Sequence, residues 1–162
     1  MLFKNILVPY DGSQLSEKAL KLAIEIAKVT GYSQVSLLNV IEEIPLPTVR
    51  FNVRFRSIKT DERVSASSYF KELNKDMQSN MKNKLERKIV QFPEKQPGVS
   101  IKAYVLIGSP SERIIEFANH YKVDLIVIGS TGLRGISKFF KGLGSVSRNV
   151  SEKVSCPILI VR

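Results

Sequence analysis

Five short apolar runs set the terms for this chain: KNILVPY (4–10), QVSLLNVI (34–41), VSIKAYVLIG (99–108), VDLIVIG (123–129) and CPILIV (156–161). Most are continuous, not alternating, as expected of strands buried on both faces. The segments between them change period. Leu15, Ala19, Leu22, Ala23, Ile26 and Ala27 fall on one helical stripe. Leu73, Met77, Met81, Leu85 and Ile89 recur every four residues in a helix expected from Val64 to about Phe92. Ile114, Ile115, Ala118 and Tyr121 give a third apolar face, and a last helix is expected over Val146 to Val154. Strands that alternate with helices imply a doubly wound, five-stranded parallel sheet with helices on both faces. At 162 residues the simplest reading is one domain, 1–162.

Local signals punctuate this plan. Ser13 suits an N-cap and Gly31 a helix stop. In Ser109-Pro110-Ser111-Glu112, Ser109 can cap, Pro110 sits where a missing N–H costs nothing, and Glu112 completes a capping box. Pro93 should end the long helix. Residues 42–62 fit less well. Pro45 and Pro47 forbid a regular start. Val49, Phe51, Val53 and Phe55 then alternate with Arg50, Asn52, Arg54 and Arg56, the pattern of a hairpin arm or, as preferred here, of a mobile loop that orders on a partner. This segment reads as an insertion inside the domain.

Composition narrows the function classes. A single cysteine rules out an intramolecular disulfide, and no apolar stretch has membrane-spanning length. The opening MLFKNILVPYDG reaches Pro9 and Asp11 too soon for a secretory leader, so the expected location is cytoplasmic. The formal charge of +10 favours polyanionic partners, whether nucleic acid, anionic lipid or nucleotide phosphates, and does not choose among them.

Open parallel sheets bind ligands beyond the carboxyl ends of their strands, where the strand order switches. The first strand ends in Pro9-Tyr10-Asp11-Gly12-Ser13, the second in Asn39-Val40, the fourth in Gly129-Ser130-Thr131-Gly132. After that fourth strand come five glycines, several hydroxyls and three cations in GSTGLRGISKFFKGLGS (129–145). Gly129 and Gly132 permit close approach, and amides in such a turn can converge on an anion. Ser130 and Thr131 add donors. Gly144-Ser145 opens the last helix, whose free amides and dipole favour phosphate; Ser145 and Ser147 lie within reach. Arg134, Lys138, Lys141 and Arg148 add cationic field. There is neither a GxxxxGK[ST] motif nor a GxGxxG after the first strand, which argues against P-loop and dinucleotide-binding enzymes.

These segments resemble the nucleotide-binding universal stress proteins, whose fourth strand is followed by G-x2-G-x9-G-[ST]. The similarity runs over most of the chain: KNILVPYDGS, the GSP turn at Gly108, VDLIVIGSTG, GSVSRNV and CPILIVR. Gly129, Gly132, Gly144 and Ser145, followed by Val146 and Ser147, match the motif, with eleven residues between Gly132 and Gly144 where the pattern has nine. The two extra residues should bulge the loop. The resemblance implies a Rossmann-like, adenine nucleotide alpha hydrolase-like fold that takes ATP or AMP, with Mg2+ or Mn2+ alongside the phosphates. It implies that Asp11 meets the ribose or the metal, that Val40 presents backbone to the adenine edge, and that Pro9 and Ile128 wall the base. Gly129, Thr131, Gly132, Gly144, Ser145, Val146 and Ser147 would hold the phosphates. It also implies a homodimer through the C-terminal strand (157–162), in keeping with the tendency of an open edge to pair.

Other residues invite functional readings and are better explained structurally. Cys156 precedes Pro157 at a strand start and reads as a buried structural thiol. His120, with no grouped ligands, suits a helix C-terminus. Asp11 has no second carboxylate near it in sequence and also suits a helix cap. The phenylalanines among Arg50–Arg56 read as packing or subunit contacts before they read as base-stacking groups. Three function classes remain: a nucleotide-binding signalling or stress-response module, favoured for want of a general base; a slow metal-dependent ATP hydrolase using Asp11; and a nucleic-acid-binding protein.

Overall fold

The computed structural model describes residues 3–45, 54–92, 98–132 and 143–162. In chain order the elements are β1 (Asn5–Pro9), α1 (Gln14–Thr30), β2 (Ser33–Ile41), β3 (Arg54–Arg56), β4 (Arg63–Ser65), α2 (Ala66–Val90), β5 (Val99–Ile107), α3 (Pro110–His120), β6 (Leu125–Gly129), α4 (Ser145–Lys153) and β7 (Ile158–Val161). Five strands form one sheet in the order β5-β2-β1-β6-β7, every neighbouring pair parallel. The order turns back between β1 and β6, so the crevice of a doubly wound sheet opens there.

The pleat divides the core in two. Ile6, Val8, Val35, Leu37, Leu125 and Val127 face α1 and α2, against Ala19, Leu20, Ala23, Ile24, Ala27 and Leu85. Leu7, Leu38, Ile126 and Ile128 face the opposite way, against Ile114, Phe117 and Ala118 of α3 and Val150 of α4. Successive side chains of a strand alternate faces, which is why each of these runs had to be apolar throughout.

Several local expectations are met and several are corrected. Ser13 caps α1, its hydroxyl accepting from the Ser16 amide at 3.1 Å, and Gly31 ends the helix. The α1 stripe is rotated from its expected position: Leu20 and Ile24 are buried, while Leu22 is 38% exposed. Ser109 occupies the N-cap of α3 but its side chain makes no capping hydrogen bond. Its backbone carbonyl accepts from the Arg113 amide instead, and Pro110 holds the first turn. Helix α2 starts two residues later than expected, capped by Ser65, and only Leu85 of its stripe is buried.

The largest correction lies in the insertion. Arg54–Arg56 does not form the preferred loop. It pairs antiparallel with Arg63–Ser65 as a small ribbon, Phe55 opposite Val64. The reason is an aromatic anchor: the Phe55 ring stacks on Tyr69 with centroids 5.0 Å apart and meets Phe70 edge-on. The remaining expectations in this insertion, for Pro47 and for residues 49–53, lie outside the described residues, as do those for Pro93, Arg134, Lys138 and Lys141.

Candidate functional site

The carboxyl ends of β1 and β6 touch. A side chain on Gly129 would place its Cβ 2.9 Å from the Leu15 Cβ and 3.2 Å from that residue's backbone. A side chain on Gly132 would place its Cβ 2.5 Å from Asp11 Oδ2. Gly129 therefore lets the end of β6 lie against the first turn of α1, and Gly132 lets the loop after β6 lie against the loop after β1. Asp11 is held from its own side as well, since its Oδ1 accepts from the Ser13 amide at 2.9 Å. It thus braces the start of α1 and turns its other oxygen toward Gly132.

The far end of the glycine loop returns to the same place. The Gly144 amide donates to the Ser130 carbonyl at 2.8 Å, and the Ser147 hydroxyl donates to that carbonyl at 2.8 Å as well as to Gly144 O at 3.0 Å. Ser130 and Ser147 are both buried, and the Ser130 amide donates to Val161 O, which ties the group to β7. Two residues expected to grip phosphate, Gly144 and Ser147, thus spend an amide and a hydroxyl inside the protein, fastening α4 to the end of β6. The next amides of α4 have no partner within the helix by its geometry, and among the described residues no side chain caps them.

The residues expected around the base share one face. Val40 and Ile128 belong with Leu7 and Leu38 on the α3–α4 side, and Pro9, two residues after Leu7, follows the same parity. Asn39 points to the α1–α2 side with Leu37. It is 7% exposed, its Nδ2 donates to Tyr10 O at 2.7 Å, and its Oδ1 has no hydrogen-bond partner. It lines a cavity of about 710 Å3 between the loop after β1 and the second half of α2, with Tyr10, Asp11, Lys84 and Arg87 among its walls. Asp11 is the predicted site residue that borders this cavity; Pro9, Val40 and Ile128 do not. The sequence marked Asn39 as a polar residue at the end of the second strand, beside the expected crevice, but not as a wall of this cavity.

A three-member polar chain closes one wall. The Tyr10 hydroxyl donates to Glu17 Oε1, and Lys88 meets the same oxygen at 2.7 Å. Burial, with help from the neighbouring Glu17 acceptor and the nearby carboxylates, pushes the Tyr10 hydroxyl well above its ordinary range, so it stays a donor. Burial also pushes the Glu17 carboxyl up, but hydrogen bonds from Lys88 and Tyr10 and the charges of Lys88 and Lys21 outweigh it, and the group lies below its usual value.

Cys156, expected to be buried, is half-buried, and burial raises its thiol pKa. His120 ends α3 with its ring edge-on to Tyr121. Among the described residues no three His, Cys, Asp or Glu side chains gather as a metal site, and no helix is long and apolar enough to cross a membrane.

A parallel sheet wound on both faces, with its crevice between β1 and β6 and a glycine loop beside it, defines a Rossmann-like α/β protein. Comparison with known proteins takes this further. The model of the "Universal stress protein family" matches residues 2–162, and the chain belongs to that family. Universal stress protein MJ0531 of Methanocaldococcus jannaschii is 32% identical over 99% of this chain and 83% of its own length. Universal stress protein YxiE of Bacillus subtilis is also 32% identical, over 99% of this chain and all of its own. Among solved structures, MJ0577 superposes with a TM-score of 0.76 at 30% identity, covering 99% of this chain and 96% of that one. A universal stress protein in complex with cAMP superposes at 0.61 with 20% identity, covering 100% and 98%. One from Arabidopsis thaliana with AMP bound superposes at 0.56 with 17% identity, covering 98% and 90%. At these identities the last two show the shared fold.

Proposed function

We propose that the chain, one domain over 1–162, binds an adenine nucleotide, ATP or AMP, across the carboxyl ends of β1, β2 and β6. In this reading it acts as a cytoplasmic stress-response or signalling module. The base lies on the side of Pro9, Val40 and Ile128, with the Val40 backbone at its edge. Asp11 meets the ribose. The phosphates take the amides of Thr131, Gly132, Ser145 and Val146, while Gly144 and Ser147 hold α4 in place behind them.

One observation carries the reading. Gly144 has φ −64° and ψ 162°, a conformation open to any residue, so its backbone does not require glycine. What glycine provides is room: a Cβ would lie 3.3 Å from Ser130 O and 3.5 Å from Thr131 Cα, so its absence lets the loop after β6 close on the start of α4, where amides and dipole favour an anion. The nucleotides bound by two proteins of like fold, cAMP and AMP, support adenine as the base. A single carboxylate at Asp11 fits a Mg2+ or Mn2+ that arrives with the phosphates and takes most of its oxygens from them and from water. A homodimer through residues 157–162 completes the proposal: β7 is the sheet edge and its Leu159 is 37% exposed.

The test is calorimetric titration with ATP and AMP of the parent chain and of Gly132→Val. The substitution drives a side chain into Asp11 and should reduce affinity at least about a hundredfold, roughly 2.7 kcal/mol. Unchanged affinity in a folded variant would remove the loop from the site.

A further inference from the structure

The β3–β4 ribbon is not needed for the nucleotide site, and its two faces differ sharply. The register Arg54↔Ser65, Phe55↔Val64, Arg56↔Arg63 puts Arg54, Arg56 and Arg63 on one face and Phe55 and Val64 on the other. The apolar face is spoken for: Phe55 stacks on Tyr69 and meets Phe70 of α2. The turn is clasped too. Glu72 Oε2 accepts from the Ser57 hydroxyl at 2.8 Å and from the Ile58 amide at 3.1 Å, and Ser57 Oγ accepts from the amides of Lys59 and Thr60. The ribbon is therefore fixed to the domain, and it presents three exposed arginines outward.

That arrangement is electrostatically unfavourable on its own. Arg56 and Arg63 stand directly opposite, and like charges so placed destabilise a strand pair. Asp61 lies 3.3 Å from Arg56, but that pair is largely exposed, 77% and 86%, so it offsets little. Across 54–65 four cations face two acids. That leaves the ribbon with an excess of positive charge, and planar guanidinium forks favour phosphate oxygens.

We propose that this face binds the phosphate backbone of a nucleic acid duplex, without sequence preference, through Arg54, Arg56 and Arg63. A two-stranded ribbon is narrow enough to enter the major groove, between two phosphate walls. A bilayer is the poorer fit, because membrane-bound segments insert apolar side chains and those of this ribbon's strands, Phe55 and Val64, are opposed to its arginine face. The proposal is independent of the nucleotide reading above.

The experiment is fluorescence anisotropy of a mixed-sequence DNA duplex of about 20 base pairs with the full chain, between about 50 and 200 mM KCl. Three phosphate contacts predict a log–log salt slope of about −2 to −3. The triple variant R54Q/R56Q/R63Q should lose at least about tenfold in affinity and flatten that slope, while its thermal midpoint does not fall and its ATP titration stays that of the parent. Equal binding by parent and variant, or no binding at the lowest salt, overturns the proposal. So does binding to phosphatidylserine vesicles with none to the duplex, which would assign the patch to membranes.

Discussion

Helices α1 and α4 begin beyond adjacent strands, β1 and β6, with almost the same backbone at their N-caps: Ser13 at φ −69°, ψ 160°, and Gly144 at φ −64°, ψ 162°. Their chemistry is opposite. At α1 the Ser13 hydroxyl accepts an amide, Asp11 accepts another, and Glu17 places an acid in the first turn. At α4 no side chain caps the helix and its first turn carries no acid. One helix start is closed by the protein itself; its neighbour is left open. The difference teaches that an open helix start here reflects a missing side chain, since an equivalent backbone carries serine next door.

The sharpest way to break this contrast is to close α4. Gly144→Asp supplies an internal anion to the amides that the nucleotide phosphates are proposed to use. Its Cβ would sit 3.3 Å from Ser130 O, a tight contact that needs a shift of a few tenths of an ångström. Expected outcomes are a loss of ATP affinity of tenfold or more, about 1.4 kcal/mol or more, read by calorimetry, with a stability gain of at most a few tenths of a kcal/mol in urea melts. A variant that binds ATP as the parent does would show that α4's start is not the anion site. Next in size is the converse change. Ser13→Ala uncaps α1 and should cost about 1 kcal/mol of unfolding free energy, with nucleotide affinity unaltered; a loss of affinity without a loss of stability would reverse the assignment of the two helix starts.

A smaller effect concerns the acid in α1's first turn. Because the Glu17 carboxyl is held below its usual value in the fold, the stabilisation it gives is present above its unfolded pKa, about 4.3. That stabilisation fades as pH falls through the folded value. The parent should therefore melt higher than Glu17→Gln at neutral pH, and the gap should narrow steadily on acidification below about pH 4. A gap that widened in acid would contradict the pairing with Lys88 and Tyr10.

Much of the fold could be read because its signals are local. Continuous apolar runs marked the five strands of the sheet, and Ser13 and Gly31 bounded α1. The sheet order, and hence the meeting of Asp11 with Gly132, depends on contacts between residues far apart in the chain, although the crevice rule anticipated it. For the β3–β4 ribbon a hairpin arm was the reading not preferred, because each arm is only three residues long and its stabilising ring, Tyr69, lies on the next helix. Ser109 looked like a cap by type and position, yet whether a hydroxyl turns inward is decided by side-chain torsion, which composition does not encode. The same applies to Asn39 and to the Tyr10–Glu17–Lys88 chain, whose partners come together only through packing of α1 on α2.

Finally, the Ser130 carbonyl receives both the Gly144 amide and the Ser147 hydroxyl. Bonds among these three residues fix where α4 starts relative to the end of β6. The number of residues separating Gly132 from Gly144 in the sequence, eleven here where nine would match the family pattern, can therefore change without shifting the footing of α4.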